Sequence, residues 1–273
     1  MAGFIISGAK GKMGQALLKA ISQEPGVSLA GALVRTTKLE ASTNLPDPSF
    51  SVDLLQGVTV SDSLEALLQK TSASVLIDFS RPEATLEYLP ICMKYRLPMV
   101  IGTTGFSAQE KIKIHHASQV IPVVFSPNFS VGVNLTFALV ALAARTLAAE
   151  YDVEVIEAHH RHKVDAPSGT SLRLGEVIAE QRNGKLQELA VFCRHGNIGS
   201  RKFGSIGFSA IRAADIVGEH TVLFAAEGER LEITHKASSR RAFAQGAIQA
   251  ALWLQTRSPG LYSMQEVLGT ESI

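Results

Sequence analysis

The feature that most restricts the fold lies in the first fourteen residues. Phe4-Ile5-Ile6 is a short apolar run that ends at Ser7-Gly8. The segment Gly8-Ala9-Lys10-Gly11-Lys12-Met13-Gly14 follows, and Met13, Leu17, Leu18 and Ile21 then recur at helical spacing. Strand, glycine turn and helix in this order are the context that a dinucleotide pyrophosphate needs. Gly8 allows the tight turn, Gly11 lets a phosphate approach the backbone, and Gly14 lets the helix lie close on the strand. The spacing is GxxGxxG rather than GxGxxG, and any strand-to-helix turn can hold glycines, so the turn alone does not decide the fold.

The alternation that follows does. Strand-like runs recur at Ser28–Val34, Val75–Phe79, Met99–Ile101 and Val120–Phe125, with helical patterns at Leu64–Lys70, Glu83–Tyr95 and Ala108–Ser118. The 44–48 stretch reads as a loop. Such repetition predicts an α/β fold whose first part is a Rossmann-like, doubly wound parallel sheet. Ligands bind such sheets at the carboxyl ends of the strands. Three strand ends are equipped for this: the glycine turn from Gly8 to Met13, Gly102-Thr103-Thr104-Gly105, and Ser126-Pro127-Asn128-Phe129. Each could be an ordinary turn, since Gly, Ser, Asn and Pro form turns anyway; all three falling at strand ends favours a nicotinamide dinucleotide. An acidic residue after the second strand would bind the adenosine ribose hydroxyls and repel a 2′-phosphate. The sequence instead reads Val34-Arg35-Thr36-Thr37-Lys38, which predicts that NADPH is accepted at least as well as NADH.

After a helical pattern over Val133–Leu147 the grammar changes. Asp152–Ala158 alternates as a strand, and further strand-like runs follow a helix at Leu189–Arg194, Ile206–Ile211, Thr221–Ala226 and Arg230–His235. This predicts an α+β part with an open, mostly antiparallel sheet. The final helical pattern, Phe243–Trp253, is expected to pack back on the first part. The expected division is a dinucleotide-binding domain over 1–130, completed by a C-terminal helix over 241–273, and a substrate-binding and oligomerisation domain over 131–240. A sheet covered on one face leaves the other free for association.

The strand from Asp152 delivers Glu157-Ala158-His159-His160-Arg161-His162-Lys163-Val164-Asp165-Ala166-Pro167-Ser168-Gly169-Thr170. Groups so densely titratable and cationic, followed by backbone donors at a helix start, suit an anionic small molecule that must be held and protonated. Imidazole titrates near neutrality, so His159 is a candidate acid. Lys163 can pair with a carboxylate or donate a proton, and the N–H groups of Gly169 and Thr170 can cradle an anion. Histidine-rich loops can also be plain surface or metal sites. No Glu or Cys stands at a recognised zinc spacing from His159, His160 and His162, and neighbouring imidazoles on a strand point to opposite faces, so no metal is expected.

Composition narrows the partners. A formal net charge of +1 recruits neither nucleic acid nor an anionic membrane. The uncharged span from Ala117 to Ala144 is interrupted by Pro122, Pro127, Asn128, Gly132 and Asn134, and its unbroken apolar part is too short to span a bilayer. Cys92 and Cys193, far apart in apolar surroundings, point to a reducing compartment, and the protein is expected in the cytoplasm.

Together, the glycine turn, Gly102-Thr103-Thr104-Gly105, Asn128–Asn134 and above all Glu157–Thr170 resemble the dihydrodipicolinate reductase family, as do Arg212–His220 and Gly228–Arg240. The similarity runs over nearly the whole chain. It implies a cytoplasmic homotetramer that reduces a cyclic imine dicarboxylate with NADPH or NADH on the diaminopimelate route to lysine. It implies His159 as proton donor or acceptor, Lys163 as a second proton donor, and His160, Gly169 and Thr170 as carboxylate ligands. Nucleotide contacts would fall to Gly8, Ala9, Lys10, Gly11, Lys12 and Met13, to Gly102, Thr103 and Thr104, and to Ser126, Pro127, Asn128 and Phe129; Arg35 is a further candidate on the charge reading above, not on the resemblance. Many members carry Glu where Val34 stands, so this chain departs from the family at the ribose contact by which NADH is favoured. Two rival readings are another NAD(P)-dependent dehydrogenase of similar layout and a non-catalytic NAD(P)H-sensing module. The first has no use for a carboxylate-binding helix start beside Lys163, and the second none for a proton donor.

Overall fold

A computed structural model describes residues 1–34, 52–147 and 149–271. The expected 44–48 loop, Arg35 and Lys38 lie outside the described residues. The chain divides into two compact units: Met1–Val131 with Arg240–Leu268, and Gly132–Ser239 with the residues from Gly269 onward.

The first unit opens with β1 (Ala2–Ser7), α1 (Lys12–Ile21) and β2 (Val27–Leu33). It continues through β3 (Val60–Ser61), α2 (Leu64–Leu68), β4 (Val75–Asp78), α3 (Pro82–Tyr95), β5 (Met99–Ile101), α4 (Ala108–Ser118) and β6 (Pro122–Phe125). Local chemistry sets the helix ends. Pro82, with φ pre-set for the first turn, opens α3, and left-handed Arg96 closes it. Ser107 and Glu110 form a reciprocal capping box on α4. The strands form one sheet in the order β12-β6-β5-β4-β1-β2-β3, where β12 is Gly260–Tyr262 from the far end of the chain. Every pairing described in it is parallel.

Alternation along β1 shows why both faces must be covered. Phe4 and Ile6 pack with Leu17, Leu18 and Ile21 of α1 on one face, while Ile5 packs with Leu67, Leu89 and Ile114 on the other. All three strand side chains are fully buried, each contributing about 1.5–3 kcal/mol. The first face is completed by α8 (Arg241–Leu254), whose Ala244, Ala247, Ile248 and Ala251 join the α1 cluster. The C-terminal segment is thus a helix, an edge strand and a short helix α9 (Met264–Leu268), not one helix over 241–273. Ser258-Pro259-Gly260 breaks the helical pattern and lets β12 add beside β6.

The second unit holds α5 (Val131–Thr146), β7 (Asp152–His159), α6 (Gly169–Gln181), α7 (Leu186–Leu189), β8 (Ala190–Val191), β9 (Ile206–Arg212), β10 (Gly218–Ala226) and β11 (Glu229–Ala237). Its sheet runs β11-β10-β7-β9-β8. β10 pairs antiparallel with β11 and β7, but β9 pairs parallel with β7 and β8. The sheet is antiparallel over β7, β10 and β11 as expected, and mixed because the segment after β7, with α6, crosses over before the chain returns parallel in β9. The run Leu189–Arg194 is not a full strand. It yields two strand residues at the sheet edge, after which Arg194 turns to pair with Glu154. One face of the sheet packs Val153, Val155, Ile206, Phe208, Val222 and Phe224 against α5 and α6.

Candidate active site

In the second unit, the face that carries the core also carries the polar cluster. Along β7, Val153, Val155, Glu157 and His159 share one side, as alternation requires. Register sets His220 of β10 opposite Glu157 and Arg212 of β9 opposite His159. Gly218 lies across from His159; a Cβ there would stand 3.1 Å from His159 Nε2, so glycine leaves the ring its space.

Glu157 is 1 % exposed and organises the cluster. Its carboxylate takes both ends of the Arg212 guanidinium, at 2.7 and 2.8 Å, and the Ser168 backbone N–H at 3.2 Å. It also lies 2.5 Å from His159 Nδ1. Burial penalises the carboxylate charge, but Arg212 and His159 outweigh that penalty and hold Glu157 below the usual carboxylate range. For His159 the balance is opposite. Burial pulls its pKa down, Glu157 pulls it back, and the nearby Lys163 and Arg212 charges lower it again, leaving it below the ordinary imidazole value. A neutral ring that donates its Nδ1–H in a hydrogen bond to Glu157 leaves Nε2 without a proton and able to exchange one with a ligand.

His220 packs edge-on against His159 at 5.1 Å between centroids. Its Nε2 lies 3.0 Å from Ser168 Oγ, and burial first, then the His159 charge, depresses its pKa to about 4. Ser168 caps α6 by accepting the Ser171 N–H. The Ser168 backbone N–H is thus committed to Glu157, while Gly169, with open space around its Cα, and Thr170 begin the helix beyond it. Lys163 Nζ holds both Asp165 oxygens at 2.8 Å. His160 has a buried Nδ1 with no protein partner, and its ring lies 6.4 Å from that of His162, which is exposed. Among the described residues, no group of three His, Cys, Asp or Glu is placed to hold a metal.

In the first unit, the nucleotide candidates gather at the carboxyl edge of the parallel sheet. Gly8 has a φ of +68°, and its carbonyl accepts the Gly11 N–H at 2.8 Å. A Cβ on Gly14 would stand 2.3 Å from the Gly8 carbonyl oxygen, so only glycine permits this approach of α1 to β1. Gly11, the N-cap of α1, brings no side chain to its first N–H groups. Those donors fit a pyrophosphate. A cleft of about 640 Å³ is lined by Gly8, Lys10, Gly11, Val34, Asp62 and Arg81, among others. Ala9 is fully buried, its N–H donating to the Leu33 carbonyl and its own carbonyl accepting from Gln15 Nε2, so it shapes the turn and offers a ligand no free group; Lys12 is exposed and Met13 half-buried.

Thr103 follows β5 and is buried; Gly102 is half-buried and Thr104 exposed. Thr103 Oγ1 accepts the Ser80 N–H at 3.0 Å. Beyond β6, Ser126 Oγ donates to the Asn128 carbonyl, Pro127 is exposed, and Phe129 meets Phe79 edge-on at 5.3 Å. Beneath these strand ends lies Asp78, fully buried, which accepts hydrogen bonds from Ser80 N and Thr85 Oγ1. Burial raises its pKa against the pull of those donors.

Sequence reasoning gave no role to Glu157, Arg212, His220, Asp62 or Asp78. Glu157 had a readable signal, two places before His159 on a strand. The Arg212 and His220 pairings are long-range and leave no local mark.

Two family models cover the chain: the N-terminal part of dihydrodipicolinate reductase matches residues 3–129, and the C-terminal part matches residues 132–268. Proteins described as 4-hydroxy-tetrahydrodipicolinate reductase from Laribacter hongkongensis (strain HLHK9) and Hahella chejuensis (strain KCTC 2396) are each 54 % identical to it over 265 residues, covering 97 % of both chains. Among solved structures, a dipicolinate-bound dihydrodipicolinate reductase from Paenisporosarcina sp. TG-14 superposes with a TM-score of 0.78 at 26 % identity, covering 97 % of this chain and 98 % of the other.

Proposed function

The chain belongs to the dihydrodipicolinate reductase family, and from this premise and the chemistry of its two units we infer that it is a 4-hydroxy-tetrahydrodipicolinate reductase, an NAD(P)H-dependent oxidoreductase. It reduces the cyclic imine dicarboxylate to tetrahydrodipicolinate on the diaminopimelate route to lysine. The first unit is the dinucleotide-binding domain. The backbone from Gly8 to Met13 receives the pyrophosphate, Arg35 meets a 2′-phosphate, and Gly102–Thr104 with Ser126–Phe129 line the nicotinamide end. Bound NAD(P)H supplies the hydride.

The second unit binds the substrate. The N–H groups of Gly169 and Thr170, Lys163 and the His160 ring hold the two carboxylates. His159 moves the proton at Nε2, its Nδ1 being committed to Glu157, and Lys163 is a second donor. With no ligand, His159 sits below the ordinary imidazole range. A dianion beside it favours the imidazolium, so substrate binding loads the acid. The observation that carries this reading is the buried Glu157–His159 pair at the end of β7, bonded through Glu157 to the cap of the α6 helix.

A homotetramer is supported by the sheet face opposite α5 and α6, which presents Ile156, Leu223 and an exposed Ile211. A cytoplasmic site fits the two cysteines, neither of them in a disulfide, and the cytoplasmic pool of reduced cofactor. The test is to supply the cyclised product of pyruvate and aspartate semialdehyde and follow NADPH absorbance. Consumption dependent on both protein and substrate is expected; NADPH that is bound but not consumed overturns the enzymatic reading.

A further inference from the structure

Dinucleotide sites of this fold ordinarily place a carboxylate at the end of the second strand, where it accepts hydrogen bonds from the ribose hydroxyls of adenosine. Here that position is Val34, apolar and buried. The next strand of the sheet supplies what is missing. β3 pairs parallel with β2, Leu33 opposite Ser61, and the Val34 N–H donates to the Ser61 carbonyl at 2.9 Å. The register therefore sets Asp62 beside Val34, one strand further out along the same carboxyl edge. Asp62 is exposed and lines the same cleft as Val34, Gly8 and Gly11.

We propose that Asp62 is the specificity-determining carboxylate for the adenosine ribose, displaced from the end of the second strand to the end of the third. It accepts hydrogen bonds from the 2′- and 3′-hydroxyls of NADH and repels a 2′-phosphate. The cleft also holds cations, Lys10 and Arg81, so the chain uses both cofactors, with Asp62 setting the ratio. The inference rests on the NAD(P)H reading above and adds the residue that discriminates within it. The competing local role for Asp62 is support of α2, because Ser63, the residue after it, caps that helix.

The test is Asp62→Asn in the full chain, with Asp62→Ser as a second variant in case the amide disturbs the Ser63 cap. Affinities for NADH and NADPH are measured by nicotinamide fluorescence without substrate, and kcat/KM is measured with each cofactor. Loss of hydrogen bonds to a charged acceptor should weaken NADH about tenfold. NADPH should bind as well or better, so the NADPH-to-NADH ratio of kcat/KM rises by about the same factor. An unchanged ratio in both variants, with only the melting temperature lowered, would assign Asp62 to the α2 cap and overturn the inference. A wild-type chain that binds both cofactors but reduces no substrate would overturn the proposed reaction while leaving the role of Asp62 standing. Failure to bind either cofactor would remove both.

Discussion

Glu157→Gln separates the positioning of His159 from the mere presence of its ring. The wild-type carboxylate accepts four contacts: His159 Nδ1 at 2.5 Å, Arg212 at 2.7 and 2.8 Å, and Ser168 N at 3.2 Å. An amide of the same shape has one accepting oxygen and one donating nitrogen, so it cannot serve all of these donors. If its NH₂ group faces His159, Nδ1 must become an acceptor, the proton moves to Nε2, and the imidazolium loses its counter-charge. A hydrogen bond to a charged group contributes about 1.5–3 kcal/mol. Where that difference appears wholly in the transition state, kcat falls about 10- to 150-fold. Glu157 also pulls the His159 pKa upward against burial. Its removal therefore shifts the alkaline limb of kcat/KM toward lower pH, since the ring gives up its proton sooner. The assay is the pH profile of kcat and kcat/KM, with NADPH affinity measured beside it as a control for the first unit. A profile superimposable on the wild type, with kcat within about twofold, would refute the positioning role.

His159→Gln should lower kcat by about 10²–10⁴-fold while leaving the dissociation constant for NADPH unchanged, as fluorescence titration would show; unaltered turnover removes His159 from the reaction. His220 is buried and neutral, with a pKa depressed from 6.5 to about 4, so the folded state binds fewer protons than the unfolded chain between those values. Its contribution to stability is complete above pH 6.5 and is lost as pH falls toward 4, by roughly 3 kcal/mol. Urea unfolding of His220→Gln at several pH values should show that part of the acid sensitivity removed, and parallel curves would contradict it. Gly14→Ala would place a methyl group 2.3 Å from the Gly8 carbonyl. That should cost about 1–3 kcal/mol or more in stability and weaken both cofactors alike, as thermal melts and NADPH titration would reveal.

The fold class was legible where periodicity runs long. Ala108–Ser118 is a helix over the very residues that its pattern predicts, and Met99–Ile101, only three residues, was readable because Pro98 and Gly102 bound a wholly apolar run. The two edge strands, β3 with two residues and β12 with three, are too short to carry a pattern of their own. The direction of β9 was not legible either. Alternation identifies a strand, whereas parallel or antiparallel pairing is set by the path of the chain between strands. The density of histidine around 159–163 drew attention to that segment, but residue counting could not rank its members. The structure does: Glu157 holds the His159 ring at Nδ1, His160 keeps a buried unpaired nitrogen, and His162 is exposed.

The cluster follows from a simple property of β7: one strand face serves two environments in succession. At Val153 and Val155 that face lies under α5 and α6 and is filled by Phe208, Val222 and Phe224. Two residues on, the same alternation delivers Glu157 and His159 with unchanged orientation, but now at the end of α6, where Ser168 turns its backbone N–H toward the carboxylate. Burial inherited from the core makes the Glu157 charge costly, and the forked Arg212 pair and the His159 ring sustain it, with the Ser168 N–H bonded beside them. That same burial holds the His159 pKa below the ordinary imidazole value. A residue at this point on an exposed loop would hold its ordinary pKa and swing freely. Placed on a rigid strand, it has its tautomer set by Glu157, and in the proposed reaction a bound dianion would raise its pKa.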